Sequence, residues 1–202
     1  MKNLFLFLFS LFYVMTYAQV DDENYFKTVP GETHVISGIP IYLYSVPVDQ
    51  YENLGKAISF GETLKLSIDE KSTISSKVND LIEMVEKRKK EGKVPEFDAL
   101  IVNVNSDKIL AIKYKGEKTL KAYAEKVKGI PVFFFLDPVK EYETVASLPA
   151  DYSNRAKRGM LYDKVRSMMK RMNQKLENGE VKKFDAVIIS PEDLSLKLIR
   201  FK

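Results

Sequence analysis

The sequence contains no cysteine. Disulfides, thiolate metal sites and a cysteine nucleophile are therefore excluded, as is a lipid anchor on a cysteine just after a leader. An exported chain of this kind must hold its fold by core burial alone. Histidine occurs once, at position 34. Glu32 is near it in sequence, but a metal centre needs further strong ligands. His34 is expected in a loop, and no metal or other cofactor is expected. Glycine and proline are scarce, at 9 and 8 of 202 residues, and hydrophobic residues make up 45%, an ordinary globular composition. A glycine-rich phosphate loop, a G-x-S-x-G elbow, an H-E-x-x-H pair and a calcium loop are all absent. An enzyme is left without a candidate nucleophile or base.

One long apolar run exists, at the N-terminus. Met1-Lys2-Asn3 carries a single positive charge, Leu4 to Val14 is almost unbroken Leu, Phe, Tyr and Val, and Thr16-Tyr17-Ala18 offers a cleavage site. This is the pattern of a secretory signal peptide over residues 1–18. The run is too short for the roughly 20 residues that cross a membrane as a helix. The expected mature protein starts at Gln19 with a tail over 19–26, is periplasmic or secreted, and has no later transmembrane span. The remaining length, about 184 residues, suffices for one large domain or two small ones. Charge is uneven along it: residues 21–115 hold 13 Lys/Arg against 16 Asp/Glu, whereas residues 151–202 hold 13 against 7. Solvated surfaces account for this; head-to-tail contact or adhesion to an anionic surface is the sharper alternative.

One line is written twice. GIPIYLYSVPVDQYE at 38–52 and GIPVFFFLDPVKEYE at 129–143 align without a gap at an offset of 91. Farther on, at an offset of 87, Lys77-Val78 matches Lys164-Val165, Gly92 matches Gly179, and Phe97-Asp98-Ala99 matches Phe184-Asp185-Ala186. Two copies of one module are expected, at 27–115 and 118–202, joined by Gly116-Glu117. So short a joint implies that they pack together.

Within each copy, Ile39–Tyr44 and Val132–Leu136 are expected as buried strands ended by Pro47 and Pro138. Weaker strands follow at 52–60 and 143–148, and ETLKLSI at 62–68 is expected to extend the first or form a flap. Ile74, Val78, Leu81, Ile82 and Val85 make one helical stripe, with Leu161, Val165, Met168, Met169 and Met172 at the same spacing. Ser72 or Thr73 suits the first N-cap, and Gly92 and Gly179 suit left-handed C-terminal positions. FDALIVNV, FDAVIIS, ILAIKYK and LSLKLIRF supply the closing strands. KTLKAYAEKVKG at 118–129 is expected as a helix, and its counterpart around Pro30-Gly31 as a loop or edge strand. The expected fold class is α+β: two tandem ββαββ modules, each a small, mostly antiparallel sheet covered by one long amphipathic helix, packed as a pseudo-symmetric pair.

Tyr51, Leu54, Gly55 and Asp98-Ala99-Leu100-Ile101, with Tyr142, Val145, Ala146 and Asp185-Ala186-Val187-Ile188, carry a resemblance to the YbjQ-like modules and related envelope proteins of bacteria. Ala146 departs from the glycine of that pattern. The resemblance implies a packing or interaction domain, often oligomeric, with no established catalytic constellation. The heavy-metal label that some of that group carry is not transferred to a chain without cysteine.

Candidate binding residues are Tyr51, Glu52, Tyr142 and Glu143, a tyrosine and a carboxylate after each proline-ended strand. They could hold a cation or do acid–base work; the simpler account is a structural corner repeated with the module. Lys170, Arg171 and Lys175, with Lys164 and Arg166, make one helix basic, for which a solvated face is the default and an anionic lipid or glycan the alternative. Export argues against nucleic acid. Asp98 and Asp185 are expected to bond local backbone rather than to form a carboxylate pair, and the methionines of the second helix to lie in the core. The function so supported is an exported, non-enzymatic interaction or structural protein of the bacterial envelope, with an envelope protein or a second copy as partner. The alternative is a small-ligand or anionic-surface binder using the cleft between modules. An envelope hydrolase has the least support.

Overall fold

Alternating burial, rather than helical periodicity, organises most of this chain. The computed structural model describes residues 30–59, 73–103, 108–149 and 161–202. The expected leader and tail, the 62–68 stretch and the Ser72 cap lie outside them. The elements are β1 (Pro30–Thr33), β2 (Val35–Ile36), β3 (Ile39–Leu43), β4 (Ser45–Pro47), β5 (Tyr51–Ser59), α1 (Ile74–Lys90), β6 (Ala99–Asn103) and β7 (Lys108–Tyr114). There follow β8 (Lys121–Ala124), β9 (Lys126–Val127), β10 (Ile130–Phe134), β11 (Leu136–Pro138), β12 (Tyr142–Leu148), α2 (Leu161–Glu177), β13 (Ala186–Ile189) and β14 (Leu196–Phe201).

The protein is mostly β, with 44% strand and, among the described residues, two helices and three sheets. This overturns the expected α+β pair of ββαββ modules, each a small sheet under its own helix. Two physical causes stand out. First, the segment read as a helix from its Lys, Ala and Glu content is β8 and β9. Ala122 and Ala124 are buried while Lys121 is exposed and Tyr123 half-buried, a period of two. Helix propensity is worth only tenths of a kcal/mol per residue; pairing on both sides, with β1 and β4, outweighs it. Second, Tyr44 and Phe135 both sit at φ 53, where non-glycine residues are uncommon. There the chain leaves one sheet, so that β4 and β11 join another.

That other sheet is antiparallel with order β11-β1-β8-β4, taking strands from both halves of the chain. Its middle pair sets Gly31 opposite Ala122, residues 91 apart, so an approximate two-fold axis passes between them. The remaining sheets have orders β2-β3-β6-β7-β5 and β9-β10-β13-β14-β12. In each, one parallel pair, β3–β6 or β10–β13, lies among antiparallel ones. One core takes in both helices, with Ile41, Leu81, Val85, Phe134, Val165 and Met169 among its members. A second core gathers Tyr42, Ala122, Ala124, Phe133, Leu136 and Ile199 from the central sheet and the faces turned to it. Phe133 and Phe134 thus serve opposite cores.

The helix ends follow their local chemistry. Thr73 Oγ1 accepts from the Ser76 N–H at 3.1 Å, and Gly92 and Gly179, both at φ 71, close each helix in a Schellman turn. The Ile74 N–H donates to the Pro191 carbonyl at 3.1 Å, which ties the start of α1 to the other half. Ser37-Gly38 and Lys128-Gly129 have positive φ at both positions, making two-residue hairpin turns. The second turn faces α2.

Candidate functional site

The turn after β9 and the first turns of α2 enclose a hollow of about 320 Å³. It is lined by Tyr44 from the first half and by Glu125, Lys128, Gly129, Tyr162 and Arg166, among others, from the second. A wider hollow of about 580 Å³ shares Lys128 and Arg166 and runs along α2 past Lys170 and Asn173. Asn173 Nδ2 donates to the Lys128 carbonyl at 3.1 Å and pins the turn to the helix.

Tyr44 forms the floor. Its backbone kink turns the ring onto Phe134, with centroids 6.2 Å apart. The residue is 2% exposed, and its hydroxyl has no hydrogen-bond partner among the described residues. Burial pushes this phenol well above the usual range, and the nearby Glu125, Tyr162 and Asp163 add to the effect. Glu125 is fixed beside it: its N–H donates to the Tyr44 carbonyl at 2.8 Å, and its own carbonyl accepts from Val132 at 2.9 Å. Burial raises the Glu125 carboxyl above the usual carboxylate range. At the rim, the Arg166 guanidinium lies 5.9 Å from the centre of the Tyr162 ring, a cation–π contact that orients it.

The other half solves the same position differently. His34 stands where Glu125 does and Phe135 where Tyr44 does, at the offset of 91. The two rings meet edge to face at 6.0 Å, and His34 Nε2 bonds Asp137 Oδ2 at 3.0 Å. His34 lies in the one-residue link between β1 and β2, as the expected loop position, and is half-buried there as the partner of a residue 103 positions away. Phe135 has no hydroxyl to satisfy.

Of the residues singled out from sequence, Arg166 and Lys170 line the wider hollow. Lys175 pairs with Glu180 at 2.9 Å, and Arg171 lies half-buried one residue from the wall. Tyr51 and Tyr142 open β5 and β12, opposite Tyr114 and Phe201, and lie against the second core. Glu52 is exposed opposite Lys113. Glu143 pairs with Arg200 at 3.3 Å. Asp98 and Asp185 each accept a backbone N–H from the neighbouring strand, of Tyr114 and Phe201, at 2.9 Å. Met169 and Met172 are core residues, with Met168 half-buried against them. Tyr44 and Glu125 carried no local signal: Tyr44 reads as one more apolar strand residue. The one available sign is that 34 and 125 are paired positions at which the two copies differ in chemistry.

Among the described residues, no group of three or more His, Asp or Glu is placed to hold a metal ion, and no helix is long and apolar enough to cross a membrane. No protein-family model, curated protein or solved structure matches the chain, so the resemblance to YbjQ-like modules rests on its motif residues alone.

Proposed function

We propose that the chain is an exported, non-catalytic binding protein of the bacterial envelope, and that it holds a small polar ligand in the cleft between the β9–β10 turn and α2. Tyr44 carries this reading. An unpaired buried hydroxyl costs about 1–3 kcal/mol, and native proteins keep few such groups without a reason. Here the hydroxyl is closed off next to a hollow that the half-buried Glu125 also lines, and a ligand that parts the floor and bonds the hydroxyl recovers the cost. The leader-like chemistry of residues 1–18 supports export. Screening the mature protein by thermal unfolding against a library of small polar metabolites tests the proposal. A ligand at a hundred times its Kd adds about 2.7 kcal/mol of stability. Tyr44→Phe, which copies Phe135, is expected to raise ligand-free stability by about 1 kcal/mol and to weaken any hit. A hit unaffected by Tyr44→Phe, or a library without hits, overturns the cleft as the site.

A protein partner is a second reading, favoured by Val48 and Val139. They follow the two edge strands of the central sheet and are 38% and 55% exposed, so apolar area lies beside each edge that a partner strand could pair with. Charge-neutral Val48→Ser and Val139→Ser substitutions are expected to release such a partner from cross-linked cells without changing ligand hits.

A further inference from the structure

The floor and the rim of the cleft carry opposite chemistry. The floor holds the half-buried Glu125 carboxyl, with the Tyr44 hydroxyl closed off beside it. The rim offers cations, Lys126, Lys128 and Arg166, with the acids Asp163 and, farther along α2, Glu177 among the described residues. Among the described residues no ion pair joins Glu125 to any of these cations, because none comes within 4 Å of it. An acid and a base that share a hollow without meeting leave room for a molecule carrying the complementary charges at its two ends.

Resting on the cleft reading above, we infer that the ligand is a small zwitterion of the α-amino acid class, its ammonium on Glu125 and its carboxylate on Arg166 and Lys128. An ammonium has three donors and no acceptor, which suits a carboxylate without a cationic partner. A guanidinium held over an aromatic ring presents its fork to a carboxylate. At about 320 Å³ the inner hollow is at the small end of ligand sites, which run from about 300 to 1,000 Å³. The outer hollow is lined by Ser167, Gln174 and charged residues, so the ligand's own side chain is polar. Glu125 binds an ammonium only when ionised, and burial raises its carboxyl above the usual carboxylate range. Affinity therefore falls as pH drops through the Glu125 titration. Tyr44, Lys126, Lys128, Tyr162 and Arg166 line the same hollow as that carboxyl, and Asp163 lies near Tyr44, so these groups are titrated alongside it.

The test is calorimetric titration of the mature protein with L-glutamine, L-leucine, acetate, ethylammonium and inorganic phosphate. Glutamine is expected to bind, leucine at least tenfold more weakly, and acetate and ethylammonium not detectably at matched concentration. Glu125→Gln and Arg166→Ala should each weaken glutamine more than tenfold. Asn79→Ala, the counterpart of the Arg166 change in the other half, should leave it unchanged. The weakening as pH is lowered should vanish in Glu125→Gln. If phosphate or acetate binds as well as glutamine and Arg166→Ala removes it, the cleft is a ligand site but the zwitterion inference fails. If none of the five binds, the inference fails, and the library screen decides separately on the cleft.

Discussion

Tyr42 shows what one side chain contributes here. Its ring is fully buried in the second core, and its hydroxyl bonds that of Tyr114. In the other half the same places hold Phe133 and Phe201, which meet edge to face at 6.3 Å. One half thus uses a hydrogen-bonded pair where the other uses a bare aromatic pair. Burial first, then the bond to Tyr114, pushes the Tyr42 phenol well above its ordinary value. Tyr114 and Tyr51 are raised as well, chiefly by burial. These groups are neutral in the folded state, and above about pH 10 they lose protons only when the chain unfolds. Fewer protons bound by the unfolded state means that stability falls as pH rises. Urea unfolding between pH 9 and 11 should show that fall, by up to about 1.4 kcal/mol per pH unit for each such phenol. The double substitution Tyr42→Phe with Tyr114→Phe should flatten the slope and leave neutral-pH stability within about 1 kcal/mol, because both bonding partners go together. Tyr42→Phe alone should cost more than the pair.

At the scale of elements, the central sheet is matched by size across its two-fold axis. A Cβ on Gly31 would lie 2.6 Å from Leu136 Cγ and 2.8 Å from the Asp137 carbonyl oxygen. The mirror positions are Ala122 and Ser45, a methyl against a small side chain. Gly31→Ala is therefore expected to cost about 1–3 kcal/mol by overpacking. Leu136→Ser alone should cost more, through the cavity it leaves. Combined, the two should cost less than their sum by at least about 0.5 kcal/mol, as equilibrium unfolding of the four variants will measure. Strand exchange is also where sequence stopped being informative. The stripe from Ile74 to Val85, the Thr73 cap and the glycines at 92 and 179 depend on neighbours within a turn or two, and each is found as its spacing implies. Nothing local to Lys121–Ala124 says that two strands from the other half will flank it. Helix-favouring residues there pointed the wrong way. The cleft was illegible for the same reason, since Tyr44 and Glu125 meet across 81 residues; only Arg166 and Lys170, on a recognisable basic helix, were visible in advance.

For the whole molecule, exchange makes the halves depend on one another. The strand pairs that hold β1 are with β8 and β11, both from the second half, and β4 pairs with β8. Residues 27–115 alone would expose that missing sheet and the second-core face of Tyr42 and Ile101. Expressed separately, the fragment is expected to be unfolded or self-associated, and co-expression with 118–202 should restore a one-to-one complex, as native mass spectrometry would show. A well-dispersed monomeric fragment would contradict this dependence. Chain order then sets a clock. Gly31 waits 91 residues for Ala122, and Glu32 waits 105 for Asp137. Such distant closures make folding slow. In a chain that emerges from its N-terminus, on a ribosome or through a secretion pore, the leading strand has nothing to pair with until most of the polypeptide has followed. The thread therefore stays loose while it is being made and is knitted only once most of it is out.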